Sequence, residues 1–487
     1  MSFKKDLARG VAYTAVAKYL NILVSLVVTA VLARLLSPDD FGIIAIATVF
    51  IGLITLLTGS GLSPAIIQRI NLSKLDIESL FSFTFYLSII AILIFYFSVP
   101  VISKFYDSEI LGNICYLLII NVFFSIINIV PNALLFKDKK FKYIAIRTIV
   151  VQSSLGVLSV IGAYCGLGIY ALLINPIIGS ILLFVISYRC YKIRLRLQFD
   201  LFVVREVLPY SVFQVGFNIL NFTYRNVDKL LIGRCFGMNE LGFYEKSYRL
   251  MMLPLENFSN VINPVLHPLL SEYQNTPTYI FDKYKILTGY FGYVGFILTS
   301  FCFINANDIV LILFGEKWIP SISIFRILSL SIGLQVIQSA VGAVFQATGK
   351  VKLLFYSGLF SFIITCGAIV AGIICKNINY MATFLVISFF ISFFIYHYIL
   401  VHKVMGERLW SFLSSLYKPV LCGLIIGILL YLTKLTNITN NIYIEFSLSI
   451  IITGLSILLL QRLKLITGFP DIYSLIIKKI RNVKVHN

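Results

Sequence analysis

Long apolar segments constrain this chain more than any other feature of its sequence. Windows of about twenty apolar residues, the length that an α-helix needs to cross a bilayer, recur from residue 11 to residue 463. We place about fourteen of them, at 11–36, 41–67, 80–102, 111–135, 143–165, 168–188, 207–236, 241–270, 285–305, 321–347, 353–375, 379–401, 412–433 and 442–463. Because 59% of the residues are hydrophobic and 13% are charged, an ordinary soluble domain is excluded. The sequence predicts an all-α, polytopic membrane protein.

The basic residues predict how these segments are oriented. Lysines and arginines concentrate in alternate connections such as 137–147 and 189–205, whereas the opposite connections hold few. By the positive-inside rule, this bias predicts that both termini are cytoplasmic. The formal net charge of +19 is then explained by orientation and by contact with anionic phospholipid, and it needs no nucleic acid.

The chain repeats itself internally. At an offset of 200 residues, Arg34 aligns with Arg234 and Gly42 with Gly242, and further on 132–142 aligns with 342–352 at an offset of 210. This pattern predicts two six-helix bundles, related by a pseudo-twofold axis along the membrane normal, plus two C-terminal helices. The predicted parts are a first lobe at 1–190, a cytoplasmic linker at 191–206, a second lobe at 207–402, two added helices at 403–465 and an amphipathic cytoplasmic tail at 466–487.

Polar residues line one face of four predicted spans. They recur at steps of three and four residues, which places them on one side of a helix. The stripes are Thr14, Lys18, Asn21 and Ser25; Ser211, Gln214, Asn218, Asn221, Arg225 and Asp228; Asn121, Ser125, Asn128 and Asn132; and Ser331, Gln335, Gln338 and Gly342. A charged residue within the bilayer costs about 2.5 to 3.5 kcal/mol, so matched stripes in both halves predict a water-accessible central cavity. For any single Asn or Gln, cross-linking of buried helices is the alternative.

The charges in these spans favour an anionic substrate. Arg225 and Lys229 flank Asp228, and Arg249 lies four residues after Glu245, so either arginine could instead neutralise its carboxylate. Two cations flank one carboxylate at Asp228, so an excess positive charge is left that suits a phosphate or another anion. The candidate substrate-binding residues are Lys18, Asn21, Asn128, Arg225, Lys229, Arg249, Arg326, Gln335 and Gln338.

No cofactor is predicted, and an ion gradient is the predicted source of energy. The sequence holds no Gly-rich nucleotide-binding motif, and its cysteines and histidines do not form a metal-binding pattern. Asp228, Glu245 and Glu256 are the candidate sites for coupling to H⁺ or Na⁺. Trp318 and Trp410 fall near predicted span ends, where they are expected to be interfacial anchors.

Several short stretches carry a family resemblance. They are Ala33–Gly42, Asp228–Arg234, Leu241–Tyr244, Tyr248–Leu250 and Phe314–Trp318. With these stretches, the chain resembles the polysaccharide flippases of the multidrug/oligosaccharidyl-lipid/polysaccharide exporter superfamily, in particular its colanic-acid and teichuronic-acid exporter branch.

The resemblance implies a function and a location. It implies a flippase in the bacterial cytoplasmic (inner) membrane that moves undecaprenyl-pyrophosphate-linked oligosaccharide from the cytoplasmic to the periplasmic leaflet, for O-antigen, capsule or exopolysaccharide synthesis. Polysaccharide polymerases and glycosyltransferases are the implied partners. In related lipid flippases cavity cations face the pyrophosphate, which points here to Lys18, Arg225, Lys229 and Arg249.

Two other functions compete with this one. A drug/cation antiporter of the same superfamily would use Asp228, Glu245 and Glu256, but cavity cations outnumber them. A membrane glycosyltransferase or polymerase would need an outer loop that holds its acceptor and a catalytic set, and the predicted outer connections are short and lack one. The sequence therefore favours a transporter over an enzyme.

Overall fold

The protein is described by a computed structural model covering residues 3–59, 62–68, 72–196, 222–274, 276–436, 441–463 and 465–466. Every regular element in these ranges is helical. The first helices are α1 Phe3–Leu35, α2 Pro38–Gly59, α3 Leu62–Gln68, α4 Lys74–Phe105, α5 Glu109–Ile127, α6 Ile129–Lys137, α7 Phe141–Tyr164, α8 Ala171–Tyr191, α9 at 222–235 and α10 Met238–Ser271. The later helices are α11 Pro277–Ile304, α12 Ala306–Leu313, α13 Ile319–Ser329, α14 Ile332–Gln338, α15 Val341–Ala347, α16 Val351–Ile374, α17 Ile378–Tyr398, α18 Leu409–Leu413, α19 Tyr417–Leu435 and α20 Ile442–Arg462.

Many of these helices are suited to a bilayer. Within the described ranges, eleven are long and apolar enough to cross a membrane, and a twelfth candidate is the pair Glu316–Ser329 and Ile332–Ala347, bent by 50°. The predicted spans at 207–236 and 241–270 are not among them, since the first lies largely outside the described residues and the second, α10, does not meet the same test of length and composition. The count of fourteen therefore stays a prediction.

The helix bounds reproduce the internal repeat. Both ends of α7 and α16 differ by 210 residues, as do the starts of α5 and α13. In the first half the segment after this start is interrupted at Asn128, and in the second half it is interrupted at Leu330 and again at Ser339, one residue beyond the equivalent of Asn128. The predicted duplication therefore extends to the break at Asn128, whereas the break at Leu330 has no counterpart in the first half.

The chain divides into two compact units, Met1–Gly242 and Phe243–Asn487. In the first unit, α1 packs along α7, α4 along α5, and α8 against both α5 and α7. In the second, α16 packs along α17, and α11 packs against α14 and α19. The lobe boundaries expected from the sequence stay a prediction, because most of the linker at 191–206 and nearly all of the tail at 466–487 lie outside the described residues.

Two glycines allow a close backbone crossing within the first unit. A Cβ atom on Gly42 would lie 1.9 Å from the carbonyl oxygen of Met238, and one on Gly242 would lie 2.0 Å from the carbonyl oxygen of Pro38. Gly42 and Gly242 differ by 200 residues, as do Pro38 and Met238, so the two contacts are equivalent under the repeat. The starts of α2 and α10 therefore cross at a point where only glycine fits.

Within the second unit, polar contacts hold the segment with the two added helices to α11 and α12. Ser300 donates a hydrogen bond of 2.7 Å to the carbonyl oxygen of Gly423, and Tyr293 donates one of 2.7 Å to that of Leu465. Near the end of α19, Lys434 forms a salt bridge with Asp308, whose side chain is 1% exposed. This ion pair ties α19 to the start of α12.

Replacing Lys434 with alanine should lower the free energy of unfolding by about 3 kcal/mol, because it leaves the buried Asp308 carboxylate without its counter-charge. Thermal unfolding of the purified protein measures this. The double variant Lys434→Leu, Asp308→Leu should recover most of the loss, since apolar side chains can replace a buried pair. Unchanged unfolding of the single variant would show that solvent already satisfies the carboxylate.

Candidate functional site

The polar stripe of the first span lies on α1. Lys18 is half-buried there, and the side-chain oxygen Oδ1 of Asn21 is buried with no hydrogen-bond partner among the described residues. A buried amide oxygen without a donor costs about 1 to 3 kcal/mol. Thr14 has no described side chain. Lys18 and Asn21 therefore place a cation and an unsatisfied acceptor within one turn of α1.

The predicted stripe of the seventh span is described only in its second half, on α9. Arg225 is exposed, whereas Asp228 is only 5% exposed, and its Oδ1 accepts a hydrogen bond of 2.8 Å from the backbone N–H of Lys229. The other residues of the stripe lie outside the described ranges: Ser211, Gln214, Asn218 and Asn221.

The far end of α9 is held to the end of α4 in the first unit. Arg234 forms a salt bridge of 2.5 Å with Asp107 and lies 5.4 Å from the ring centroid of Phe105. Tyr106 donates a hydrogen bond of 3.1 Å to the carbonyl oxygen of Leu230. Burial raises the pKa of Tyr106 to about 12, so its hydroxyl remains protonated and able to donate. These contacts fix the direction of α9, which carries Arg225 and Lys229.

The polar stripe along α5 and α6 mostly cross-links helices of the first unit. Asn121 donates a hydrogen bond of 2.6 Å to the carbonyl oxygen of Pro176 in α8. Asn132 accepts one of 3.0 Å from Arg147 in α7. By contrast, Oδ1 of Asn128 is buried and has no partner among the described residues. For Asn121 and Asn132, cross-linking of buried helices thus explains why the side chain is polar.

The charged residues of α10 differ in their exposure. Glu245 is half-buried and Lys246 is 4% exposed, whereas Arg249 and Glu256 are both exposed. Their spacing predicts that Glu245 and Arg249 share one side of the helix. Ser247, on the same segment, donates to the carbonyl oxygens of Phe243 and Ser321, at 2.8 and 3.0 Å.

The tenth predicted span supplies three candidate residues in the second unit. Arg326 is exposed near the end of α13, and Gln335 and Gln338 are half-buried on α14. The Nε2 group of Gln335 donates to Oγ of Ser331 at 2.8 Å and lies 3.5 Å from Sδ of Met251. Gln335 is therefore engaged within its own unit.

The candidate cations belong to different units. Lys18, Arg225 and Lys229 lie in the first unit, and Arg249 lies in the second, so a patch shared by all four stays a prediction. The coupling roles of Asp228, Glu245 and Glu256 likewise stay predictions. In the part of the chain that the structure describes, no group of three or more His, Cys, Asp or Glu residues could hold a metal ion.

Three buried charges were not evident from the sequence. Arg147 is 8% exposed, Glu78 is 3% exposed and Asp308 is fully buried. The positive-inside bias places Arg147 with the cytoplasmic charges, although it lies inside the predicted span at 143–165. Glu78 pairs with Arg196 at 2.7 Å, and the two are far apart in the sequence. Only the position of Arg147 within an apolar window gave a signal of burial.

Known proteins with related sequences are involved in polysaccharide synthesis. The chain is 23% identical to the lipopolysaccharide biosynthesis protein WzxC of Escherichia coli K12, in an alignment of 429 residues that covers 86% of each chain. It is 22% identical over 486 residues to the teichuronic acid biosynthesis protein TuaB of Bacillus subtilis 168, which covers 99% of each.

A solved structure shares the fold. The lipid II flippase MurJ in an inward closed conformation superposes with a TM-score of 0.73, at 16% identity, over 92% of this chain and 98% of the other. This similarity confirms the predicted all-α, polytopic fold. Residues 31–323, more than half of the chain, match the family described as polysaccharide biosynthesis protein. The family match confirms the resemblance inferred from the short stretches, and the chain belongs to the polysaccharide biosynthesis protein family.

Proposed function

We propose that this protein moves undecaprenyl-pyrophosphate-linked oligosaccharide from the cytoplasmic to the periplasmic leaflet, as a flippase that makes and breaks no covalent bond. The observation that carries the proposal is the combination of the family match with a lipid II flippase fold along 92% of the chain. Relatives in polysaccharide synthesis that align over nearly their whole length support the same substrate class.

The charges of the described residues fit an anionic substrate. Lys18 is half-buried at the start of a candidate membrane span, and Arg225 and Arg249 are exposed on α9 and α10. A pyrophosphate that enters a partly dehydrated site needs opposing charge, and each charge-assisted hydrogen bond contributes about 1.5 to 3 kcal/mol. We therefore assign the pyrophosphate to Lys18, Arg225, Lys229 and Arg249. In this proposal both termini face the cytoplasm.

A deletion strain tests the proposed function in cells. Loss of the protein should remove the surface glycan and strand its lipid-linked repeat unit in the cytoplasmic leaflet, because polymerisation takes place on the other side. Extraction and quantification of the lipid-linked intermediate measure this. Normal glycan with no accumulated intermediate, in a strain without a second flippase, would contradict the proposal.

We further propose that an ion gradient drives transport, with Asp228, Glu245 or Glu256 as the site that takes up H⁺ or Na⁺. Asp228 is the most buried of the three, and a carboxyl group buried within a membrane-spanning segment is a candidate ion site. Flipping in energised vesicles should fall to background when the H⁺ and Na⁺ gradients are both collapsed. Undiminished flipping without either gradient would rule out this coupling.

A further inference from the structure

Arg147 is a buried cation inside the first unit. It lies on the second turn of α7 and is 8% exposed. Its Nη1 group donates to Oγ of Ser187 in α8, and its Nη2 group donates to Oδ1 of Asn132 in α6 at 3.0 Å. The guanidinium thus joins three helices through neutral partners.

The charge of Arg147 is not balanced by the residues that the structure describes. None of their carboxylates lies within 4.0 Å of it, and its Nε group is buried without an acceptor. Arginine cannot release its proton, so this burial leaves an uncompensated positive charge. Burial of an unpaired charge is costly, and among the described residues only two neutral acceptors contact this guanidinium.

A second unsatisfied group lies close by in the sequence. Asn128 precedes Asn132 by four residues, and the backbone N–H of Asn132 donates to the carbonyl oxygen of Asn128 at 3.0 Å, as in one helical turn. The two side chains therefore lie on the same side. Oδ1 of Asn128 is also buried, and neither it nor Nε of Arg147 has a hydrogen-bond partner in the described part of the chain.

Packing of the duplicated fold does not require an arginine at this point. At the offset of 210 that relates α7 to α16, Arg147 corresponds to Ser357, which is fully buried, and Asn132 corresponds to Gly342. The second unit therefore builds the equivalent helices without a charge. The arginine is a specific property of the first unit.

The depth of Arg147 follows from the packing of α7 along α1. A Cβ atom on Gly156 would lie 2.7 Å from Cγ2 of Val28. If each apolar segment crosses the membrane once, α1 and α7 run in the same direction. Arg147 lies nine residues before Gly156, so it is level with residue 19, which lies nine residues before Val28. Arg147 and Lys18 are then at the same depth, about 13.5 Å from this contact toward the end of the unit rich in basic residues.

We propose that Arg147 binds the phosphate group of a lipid in the cytoplasmic leaflet, through its Nε group. A phosphate oxygen would supply both the missing acceptor and the missing negative charge. The source is the pyrophosphate of the transported lipid or the headgroup of an anionic phospholipid. The first source rests on the proposed function, whereas the second does not.

Native mass spectrometry of the full-length protein tests this site. The probes are undecaprenyl pyrophosphate and phosphatidylglycerol, with phosphatidylcholine as the zwitterionic control. Arg147→Gln should weaken binding of at least one anionic probe about tenfold, because a charge-assisted hydrogen bond is lost. Arg189→Gln is the matched control, since it removes an exposed charge from the same end of the unit and should bind as the wild type does.

Each outcome of this experiment decides something. Loss of only one anionic probe supports the site and identifies its source, and wild-type binding of both probes by Arg147→Gln overturns it. If that variant is not recovered folded, Arg147→Lys decides, because lysine keeps the charge but lacks the Nε donor. About threefold weaker binding by Arg147→Lys supports the site, and unchanged binding overturns it. Because binding is measured without transport, its result does not depend on whether the protein flips lipid.

Discussion

Replacement of Gly242 with valine is expected to abolish recovery of folded protein. A Cβ atom at this position would lie 2.0 Å from the carbonyl oxygen of Pro38 and 2.7 Å from its carbonyl carbon. Both are backbone atoms, so no side-chain movement can relieve the overlap, and α2 and α10 would have to separate. Size-exclusion chromatography and thermal unfolding of the purified variant measure the effect. The equivalent substitution, Gly42→Val, should behave alike.

A matched control separates this crossing from the general effect of a β-branched residue in a helix. Gly454 lies on α20 and is exposed, and a Cβ atom added to it would have no described atom within 4 Å. Gly454→Val should therefore have the same yield as the wild type, and its unfolding temperature should change only slightly, through the difference in helix propensity between glycine and valine. Equal stability of Gly242→Val and Gly454→Val would show that the helices do not cross as closely as the structure has them.

Replacement of Arg225 with alanine is expected to abolish or sharply reduce export. Arg225 is exposed and lies in the predicted span at 207–236, where an arginine is costly unless it meets water or an anion, which is why we assign it to the pyrophosphate. Arg225→Lys should keep part of the activity, because the charge survives although the planar guanidinium does not. Surface glycan at matched protein levels measures this, with the exposed Lys352→Ala as the control for loss of a positive charge.

The alternative is that Arg225 only neutralises Asp228. In that case, the double variant Arg225→Ala, Asp228→Ala should export as well as the wild type, because both ends of the pair are removed. We expect the double variant to stay inactive, since Arg225 is exposed while Asp228 is buried. Full recovery of export by the double variant would disprove the role of Arg225 in anion binding.

The apolar windows and the repeat were predictable because both are recorded in local sequence. A bilayer sets the length of a span, and a duplication leaves matching helix ends, as in α7 and α16. The bend in the predicted span at 321–347 falls at Leu330 and Ser331, where the sequence has neither proline nor glycine. Ser329 and Ser331 each donate a side-chain hydrogen bond of 2.7 Å to the carbonyl oxygen three residues earlier, and such bonds compete with the helical ladder and bend it.

The hydrogen-bond and ion-pair partners of individual polar residues could not be predicted, because those partners lie far away along the chain.

The prediction that Trp318 is an interfacial anchor is wrong. Its side chain is fully buried, and its ring centroid lies 5.9 Å from that of Phe243 and 5.6 Å from that of Phe314. Trp410, by contrast, is 77% exposed. An aromatic residue near a span end can pack inward or face lipid, and composition alone does not distinguish the two.

Flipping by the purified protein in proteoliposomes tests the central claim most directly. The vesicles would contain an undecaprenyl-pyrophosphate-linked oligosaccharide with a fluorescent sugar and carry an imposed ion gradient, and quenching by a membrane-impermeant reagent would report the leaflet. We expect the labelled lipid to change leaflet with the wild-type protein and to stay in place in protein-free vesicles and with Arg225→Ala. Movement at the protein-free rate with folded wild-type protein, under both H⁺ and Na⁺ gradients, would contradict it.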